Sequence, residues 1–559
     1  MKKALFLVFV LIVSIGIPVS AQDDNLTTQL DTYLSRLENI GFSGSVMIVQ
    51  NGEIILNEGY GLANATVNEP NTPDTIYPNG SITKLFTATA ILQLHEAGRL
   101  DAEAPISDYL DNVPADKASI TITQLLSHTG GLETYHDTEG DFQQMSRQEA
   151  YDTIMNTPLF AETGTEYNYS NSGYTLLAIL IEEISGQSYQ DYLRDHIFTP
   201  LNMNRSGFRG ESFDNMAYSI NTFDGYGTLA DWDYSWVIIG NGGIVTTNAD
   251  HALFIEALLN FELFSQETSI YWDDLSQIDL WRSTWIGVAG GGDAQDYNAS
   301  IYFNLDADTY IYNMTNTDDF LAEFVSVRLG QIIQGETIPF PPELTDAELD
   351  ADTCYIGFYQ LPGGGIFTIS NDTGNLRISA IGQSAVSALT GVTDPQLQEW
   401  YTELTAEADV LLTDVDDGDL SALANAFDVP VDELARYWLS LENAYGIFES
   451  YTIHGTTVSE FGENEPVTIV NLEFSATDLY LMLYWNEDSV PIDFILEETN
   501  ELVFSPLYPT ADETFTTFNL FLDTTVNISF VLDGNDVSTL QINSVNEEIQ
   551  AQLVEQECL

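Results

Sequence analysis

The chain has 559 residues, 14 Lys+Arg against 86 Asp+Glu, and a formal net charge of −72 at pH 7. Such a balance repels phosphate and argues against nucleic acid or anionic membrane as a partner. Yet 44% of residues are hydrophobic and 12% aromatic, so this is not a disordered acidic tail, and the length suggests about three domains. Self-repulsion on this scale is eased by salt, which predicts stability that rises with ionic strength.

The chain begins MKKALFLVFVLIVSIGIPVSAQDD. Lys2 and Lys3 precede an apolar run over residues 4–19, broken by Gly16 and Pro18 and ending in Val19-Ser20-Ala21. The run is shorter than the ~20 residues a membrane span needs. It reads as a secretory signal over 1–21, cleaved after Ala21, so a secreted or periplasmic protein is expected, with no stable membrane insertion afterwards. No cysteine follows the cleavage site to carry a lipid.

Residues 44–61, GSVMIVQNGEIILNEGYG, alternate apolar and polar around Asn51-Gly52 and predict a hairpin. SITKLFTATAILQLHEAG (81–98) has apolar residues at helical spacing, with Ser81 at its N-terminal side and Gly98 at its end. SGYTLLAILIEEISG (172–186) and TTNADHALFIEALLN (246–260) predict two more helices. NASIYFNLDADTYIYNMTN (298–316) predicts a hairpin turning near Asp306-Ala307-Asp308. Helices among antiparallel hairpins predict an α+β domain over 22–334, with helices packed on a sheet.

Residues 335–348, with three prolines, read as a linker. Strand patterns follow, then helical periodicity from Pro395 to about Tyr445, then strands again. This order predicts a β domain over 349–392 plus 495–559, interrupted by an α+β insert over 393–494. The two cysteines, Cys354 and Cys558, are expected to pair and tie the chain end to the start of that β domain, as exported proteins permit.

The chemistry starts from lysine. The chain has four, Lys2, Lys3, Lys84 and Lys117, and Lys84 follows Ser81 by three positions. A helix start offers free N–H groups to a developing oxyanion. A residue at i+3 lies on the same face, within reach of the serine hydroxyl. A serine needs such a neighbour to become a nucleophile. The pair alone also fits a surface lysine in a first helical turn.

Three further segments follow in order: ITITQLLSHTGGL (120–132), Tyr169-Ser170-Asn171 ahead of an apolar helix, and GNGGIVTTNAD (240–250). With Ser81-Ile82-Thr83-Lys84 they resemble the serine β-lactamase-related family, which includes class C β-lactamases, D-alanyl-D-alanine peptidases and family-eight esterases. The resemblance covers about residues 26–330. It implies that Ser81 is acylated, that Lys84 and Tyr169 share proton handling, and that Asn171 orients substrate and Lys84. Which of Lys84 and Tyr169 is the base stays open. A cation lowers the pKa of a neighbouring tyrosine, whereas the acidic excess raises it. Asn171 also reads as a helix N-cap, and His128 reads as structural.

The family's third motif, Lys-Thr-Gly or His-x-Gly, has no basic counterpart here. Val288-Ala289-Gly290 stands at that place, in STWIGVAGGGDAQDYNASIYF. Trp285-Ile286-Gly287 matches the tryptophan-glycine version of some esterases, and the same tryptophan reads equally as core. Substrate contact is expected at Trp285, Gly290 and Gly291, where glycine lets backbone approach closely. Without a cation here, a substrate carboxylate loses its partner, which favours neutral esters.

The histidines have no metal spacing. DVDDGDLSALANAF (414–427) has its glycine one position too early for a calcium loop and lacks the closing glutamate. No cofactor and no metal are expected. The C-terminal strands, with Tyr355-Ile356-Gly357-Phe358-Tyr359, resemble the lipocalin-like barrel appended to this family, and the insert is similar to cone-shaped modules of the nuclear-transport-factor type. These segments are expected to bind an unknown partner, cover the site or stabilise the enzyme. The expected function is an exported serine hydrolase with an acyl-serine intermediate, an esterase on small or neutral acyl substrates. A D-alanyl-D-alanine carboxypeptidase or β-lactamase acting on peptide-like substrates is one alternative. An inactive binding or sensor member is the other.

Overall fold

The computed structural model describes residues 23–556, except 137–139, 141–142, 220–234, 273–284, 293–296, 318–320, 346–353, 363, 373–374, 393, 414, 416–417, 428, 460–461, 487, 498–503, 512–513, 520–523, 534–535 and 544–547. The expected signal segment 1–21, Cys558 and the end of the expected linker therefore lie outside the described residues. The chain divides into two compact units, Met1–Ser35 with Phe42–Glu336 and Arg36–Gly41 with Thr337–Leu559.

In the first unit the chain runs through α1 (Asp23–Glu38), β1 (Gly44–Gln50), β2 (Glu53–Tyr60), β3 (Leu62–Asn64), β4 (Glu69–Pro70) and β5 (Tyr77–Pro78). A 3-10 turn (Gly80–Ile82) leads into α2 (Thr83–Glu96), followed by α3 (Ile122–Leu126), α4 (Arg147–Asn156), α5 (Asn171–Ser185) and α6 (Tyr189–Leu193). Then come β6 (Gly207–Phe208), β7 (Ile244–Thr246), α7 (Asn248–Leu259), β8 (Ile286–Gly292), β9 (Tyr297–Asn304), β10 (Thr309–Thr315) and the helix Ala322–Gln334.

The main sheet has the order β2-β1-β10-β9-β8, antiparallel throughout. The β1–β2 turn forms at Asn51 and Gly52, both with positive φ, as a tight hairpin of right-handed strands requires. One sheet face, through Met47, Ala299, Ile301, Tyr312 and Met314, joins the core built on α2 and α5. Both helices are apolar on nearly every side, and ten residues of each are buried, as expected of helices inside a core. The helix Ala322–Gln334 packs on β9 and β10. A small sheet, β5-β7-β6, carries the chain into the 3-10 turn.

The second unit adds β11 (Gly357–Gln360), β12 (Ile366–Asp372), β13 (Asn375–Ile381), β14 (Phe448–Ser459), β15 (Gly462–Phe474), β16 (Asp478–Trp485) and β17 (Pro491–Glu497). It ends with β18 (Phe504–Pro506), β19 (Tyr508–Ala511), β20 (Thr514–Asn519), β21 (Thr524–Asp533), β22 (Asp536–Asn543) and β23 (Glu548–Gln556). Nine strands form one sheet in the order β18-β13-β12-β11-β23-β22-β21-β20-β19. Its two edge strands, β18 and β19, are separated only by Leu507, so the sheet must curl until its edges meet. The result is a barrel-like domain around Tyr359, Phe367, Ile378, Ile528 and Leu540. Between β13 and β18 comes the four-stranded sheet β14-β15-β16-β17. One face of it shares a core with the helices Pro395–Leu412, Ser421–Ala426 and Val431–Tyr445. The fold class is α+β, an antiparallel sheet with packed helices, followed by a barrel-like β domain interrupted by a small α+β insert.

Candidate active site

Ser81 lies in the 3-10 turn that enters α2, one residue outside the helix N-cap Ile82. Lys84, one turn further, is buried and its Nζ donates to Ser81 Oγ at 3.0 Å and to the Asn241 carbonyl at 3.0 Å. Tyr169 OH donates to the same Ser81 Oγ at 2.8 Å. Lys84 Nζ also sits over the Tyr169 ring, 4.7 Å from its centroid. The lysine singled out by spacing and the tyrosine singled out by resemblance thus converge on the oxygen of the serine. Burial pushes the Tyr169 phenol up to about 12, outweighing the hydrogen bond to Ser81 that pulls it down. The lowering expected from a neighbouring cation does not prevail, because desolvation of the phenolate costs more.

Two backbone templates hold this group. The first is residues 128–134. The carbonyls of His128, Thr129, Gly131 and Thr134 accept from the N–H groups of Asn168, Gly164, Phe160 and Asn171 at 2.8–2.9 Å. Asn168 Nδ2 reaches the Leu132 carbonyl at 2.7 Å, and Ser170 Oγ the Glu133 carbonyl at 2.7 Å. Gly131 has φ +73°, and a Cβ there would lie 2.3 Å from the Ala161 carbonyl oxygen. His128 Nδ1 accepts from the Ser170 N–H at 3.0 Å, so its proton is on Nε2, and its ring lies 4.6 Å from that of Tyr169. Burial, then the charge of Lys84, lower the His128 pKa to about 4. His128 is therefore a neutral positioning residue for Tyr169.

The second template is residues 240–244. Gly240 and Asn241 accept from Thr87 Oγ1 (2.7 Å) and Lys84 Nζ, while Ile244 accepts from the Asn79 N–H at 2.9 Å. Asn79 itself, buried two residues before the serine, bonds His251 of α7 through Oδ1 at 2.5 Å. The segments 120–132 and 240–250 were marked in the sequence, but their role as carbonyl acceptors was not, and Asn79 within PNGSITK was passed over.

Asn171 is the first residue of α5, and the N-cap is its neighbour Ser170, whose hydroxyl accepts from the Gly173 N–H. Asn171 Oδ1 is buried and has no hydrogen-bond partner among the described residues, so it does not hold Lys84. β8 is an edge strand, with outward backbone groups not used by the sheet. A Cβ on Gly290 would lie 2.6 Å from both the Ser81 nitrogen and the Asn79 oxygen. The strand thus passes directly against the 3-10 turn that carries Ser81. Gly291 follows it on the same strand, paired with Asn298. Trp285 is on the other side: its ring stacks 4.7 Å from Tyr302, and Gly330 of the helix Ala322–Gln334 lies against it. The structure brings Gly290 to Ser81 and does not bring Trp285 there, because residues of odd and even number point to opposite faces of a strand.

A family model described as Beta-lactamase matches residues 38–330, more than half of the chain. A putative penicillin-binding protein, PbpX, of Bacillus subtilis (strain 168) is 34% identical over 238 residues, 42% of this chain and 59% of that protein. Penicillin-binding protein 4* of the same organism is 33% identical over 189 residues, 33% of this chain and 42% of that protein. The chain thus spans less than two thirds of the length of these curated relatives. An octameric penicillin-binding protein homologue from Pyrococcus abyssi aligns over 94% of this chain and 99% of its own, with 16% identity and a TM-score of 0.47. With the family model spanning residues 38–330, the chain belongs to the Beta-lactamase family.

Proposed function

We propose that this protein is an exported serine hydrolase that works through an acyl-Ser81 intermediate, with small or uncharged acyl esters as its substrates. The observation that carries the reading is the convergence of Lys84 Nζ and Tyr169 OH on Ser81 Oγ, at 3.0 and 2.8 Å. Ser81 Oγ attacks the ester carbonyl, and its proton passes into the Lys84–Tyr169 pair. Tyr169, whose pKa of about 12 keeps it protonated at neutral pH, is suited to donate to the leaving alcohol. Acceptance of the serine proton then falls to Lys84, which can take it only as the neutral amine. Water attacks the acyl-enzyme by the reverse proton path, releasing the acid and restoring Ser81. The Ser81 N–H and an outward N–H of β8 near Gly290 and Gly291 would receive the oxyanion. The unpaired Asn171 Oδ1 would accept a hydrogen bond from substrate. Trp285 has no part in this scheme.

The proposal extends to processing and domain limits: a signal removed after Ala21, a hydrolase domain over 22–334, a linker over 335–348, a lipocalin-like domain over 349–392 and 495–559, and an insert over 393–494. It also pairs Cys354 with Cys558. In its support, no described cysteine is a free thiol. The β11–β23 register, with Gly357 opposite Gln556, runs Cys354 toward the chain end, and Gln556 Nε2 donates to the Cys354 carbonyl at 2.9 Å.

The test is covalent labelling. A fluorophosphonate probe is expected to label the protein at Ser81, found by peptide mapping, and to leave Ser81→Ala unlabelled. A fluorescent penicillin is expected to label far more slowly, since its carboxylate meets no cation on β8. Equal labelling by both would favour a D-alanyl-D-alanine carboxypeptidase or β-lactamase, the reading that the relatives' names support. No label from either would overturn the enzyme and favour a binding or sensor role.

A further inference from the structure

Three aromatic side chains stand strongly exposed among the described residues of the first unit: Tyr135, Phe160 and Tyr167. All three lie on the two segments, 128–136 and 157–169, that meet at the template below Tyr169. An exposed aromatic ring is a feature to be explained, above all on a surface otherwise given over to acids. Tyr167 is 69% exposed and Tyr135 56%. Tyr167 shares with Tyr169 the ring of His128, at 5.7 and 4.6 Å. Tyr135 follows Thr134, whose carbonyl accepts from the Asn171 N–H at 2.8 Å. Both phenols are close enough to Tyr169 to act on its ionisation. The same segments carry Glu133, Glu162 and Glu166 and no lysine or arginine, and β8 carries no charged residue.

We propose that Tyr135 and Tyr167 are specificity-determining residues: their exposed rings receive the substrate beside Ser81 and select an uncharged aromatic acyl group over one bearing a carboxylate. The ring faces supply offset stacking, and the neighbouring glutamates repel an anion. The inference rests on the acyl-Ser81 reading and names the substrate class for it.

The experiment compares p-nitrophenyl phenylacetate, acetate and hemisuccinate. The phenylacetyl ester is expected to be preferred over the hemisuccinate by at least about tenfold in kcat/KM. In Tyr135→Ala/Tyr167→Ala the preference for phenylacetate over acetate should fall about tenfold, through KM. Tyr135→Phe/Tyr167→Phe, which keeps the rings, should retain it. On a Ser81→Ala background, calorimetry with the phenylacetyl ester reads binding without turnover and should show the same tenfold weakening for the alanine pair only. Equal binding by both pairs, or a preference for the hemisuccinate, would overturn the proposal. Hydrolysis that survives Ser81→Ala would instead overturn the acyl-Ser81 reading, while the calorimetric comparison still judges the tyrosines.

Discussion

At Tyr169 one hydroxyl carries the contact to Ser81 and, in the proposed mechanism, proton transfer. It donates to Ser81 Oγ at 2.8 Å, and burial keeps it protonated well past neutrality. Tyr169→Phe removes that hydroxyl and keeps the ring that packs on His128 and Lys84. Turnover of a p-nitrophenyl ester is expected to fall about 10²–10⁴-fold in kcat, with KM changed far less; an unchanged kcat would remove Tyr169 from the proton path. His128 gives a pH prediction. In the folded protein its pKa is about 4, whereas in the unfolded chain it is ordinary, ~6.5. Below about pH 6.5 the unfolded chain takes up a proton that the folded protein refuses. The contribution is therefore full above that pH and is lost as pH falls toward 4, on the order of 3 kcal/mol at about 1.4 kcal/mol per unit. His251, lowered to about 3 by burial, acts in the same direction. Urea unfolding from pH 8 to pH 4 should show falling stability, and His128→Asn, which keeps an acceptor for the Ser170 N–H, should flatten that fall.

β8 shows how an element makes a site without a reactive side chain. Its Gly290 faces the turn that carries Ser81 and its Gly287 faces Tyr302. Gly290→Ala would force a Cβ to within 2.6 Å of two backbone atoms. The strand must then move away from Ser81, with an expected cost of about 1–3 kcal/mol and a loss of ~100-fold or more in kcat if an oxyanion donor goes with it. At Gly287 a Cβ would meet only the Tyr302 ring at 3.5 Å, an ordinary contact. Gly287→Ala is expected to keep both melting temperature and kcat near the parent, and equal damage from the two substitutions would refute this account. Element scale is also where sequence was most and least legible. The hairpins at Asn51-Gly52 and Asp306–Asp308 and the helices after Ser81 and Asn171 are written in turn chemistry and apolar period. Ser81 and Lys84 were visible by spacing, and Tyr169 and Asn171 through the family resemblance. The face on which Trp285 points was not, because a glycine-rich edge strand has no alternation to fix its parity. Nor was the role of residues 128–134 and 240–244, since a carbonyl accepts a bond whatever side chain its residue bears.

Over the whole molecule, charge and burial divide the basic residues in a telling way. The two lysines among the described residues, Lys84 and Lys117, are 6% and 1% exposed. Lys84 donates to the Ser81 hydroxyl, and Lys117 is paired with Asp116 at 3.0 Å. The described surface thus presents no lysine, and its cations are arginines such as Arg147, which meets Glu182 and Glu183. A net charge of −72 consequently acts on the outside of two well-packed units, where water and salt reach it. Between 0.01 and 1 M salt the screening length shrinks from about 30 to about 3 Å, below the spacing of most surface charges. Repulsion in the compact state should then fade, while the expanded unfolded chain, with its charges further apart, gains less. The melting temperature is expected to rise by several degrees over that range, similarly in NaCl and KCl, with no comparable rise in sucrose at matched osmolality. Reversal of the trend at pH 4, where many carboxylates are protonated, is not expected; the rise should only shrink. A melting temperature independent of salt at pH 7 would mean that the acidic groups are already compensated within the fold.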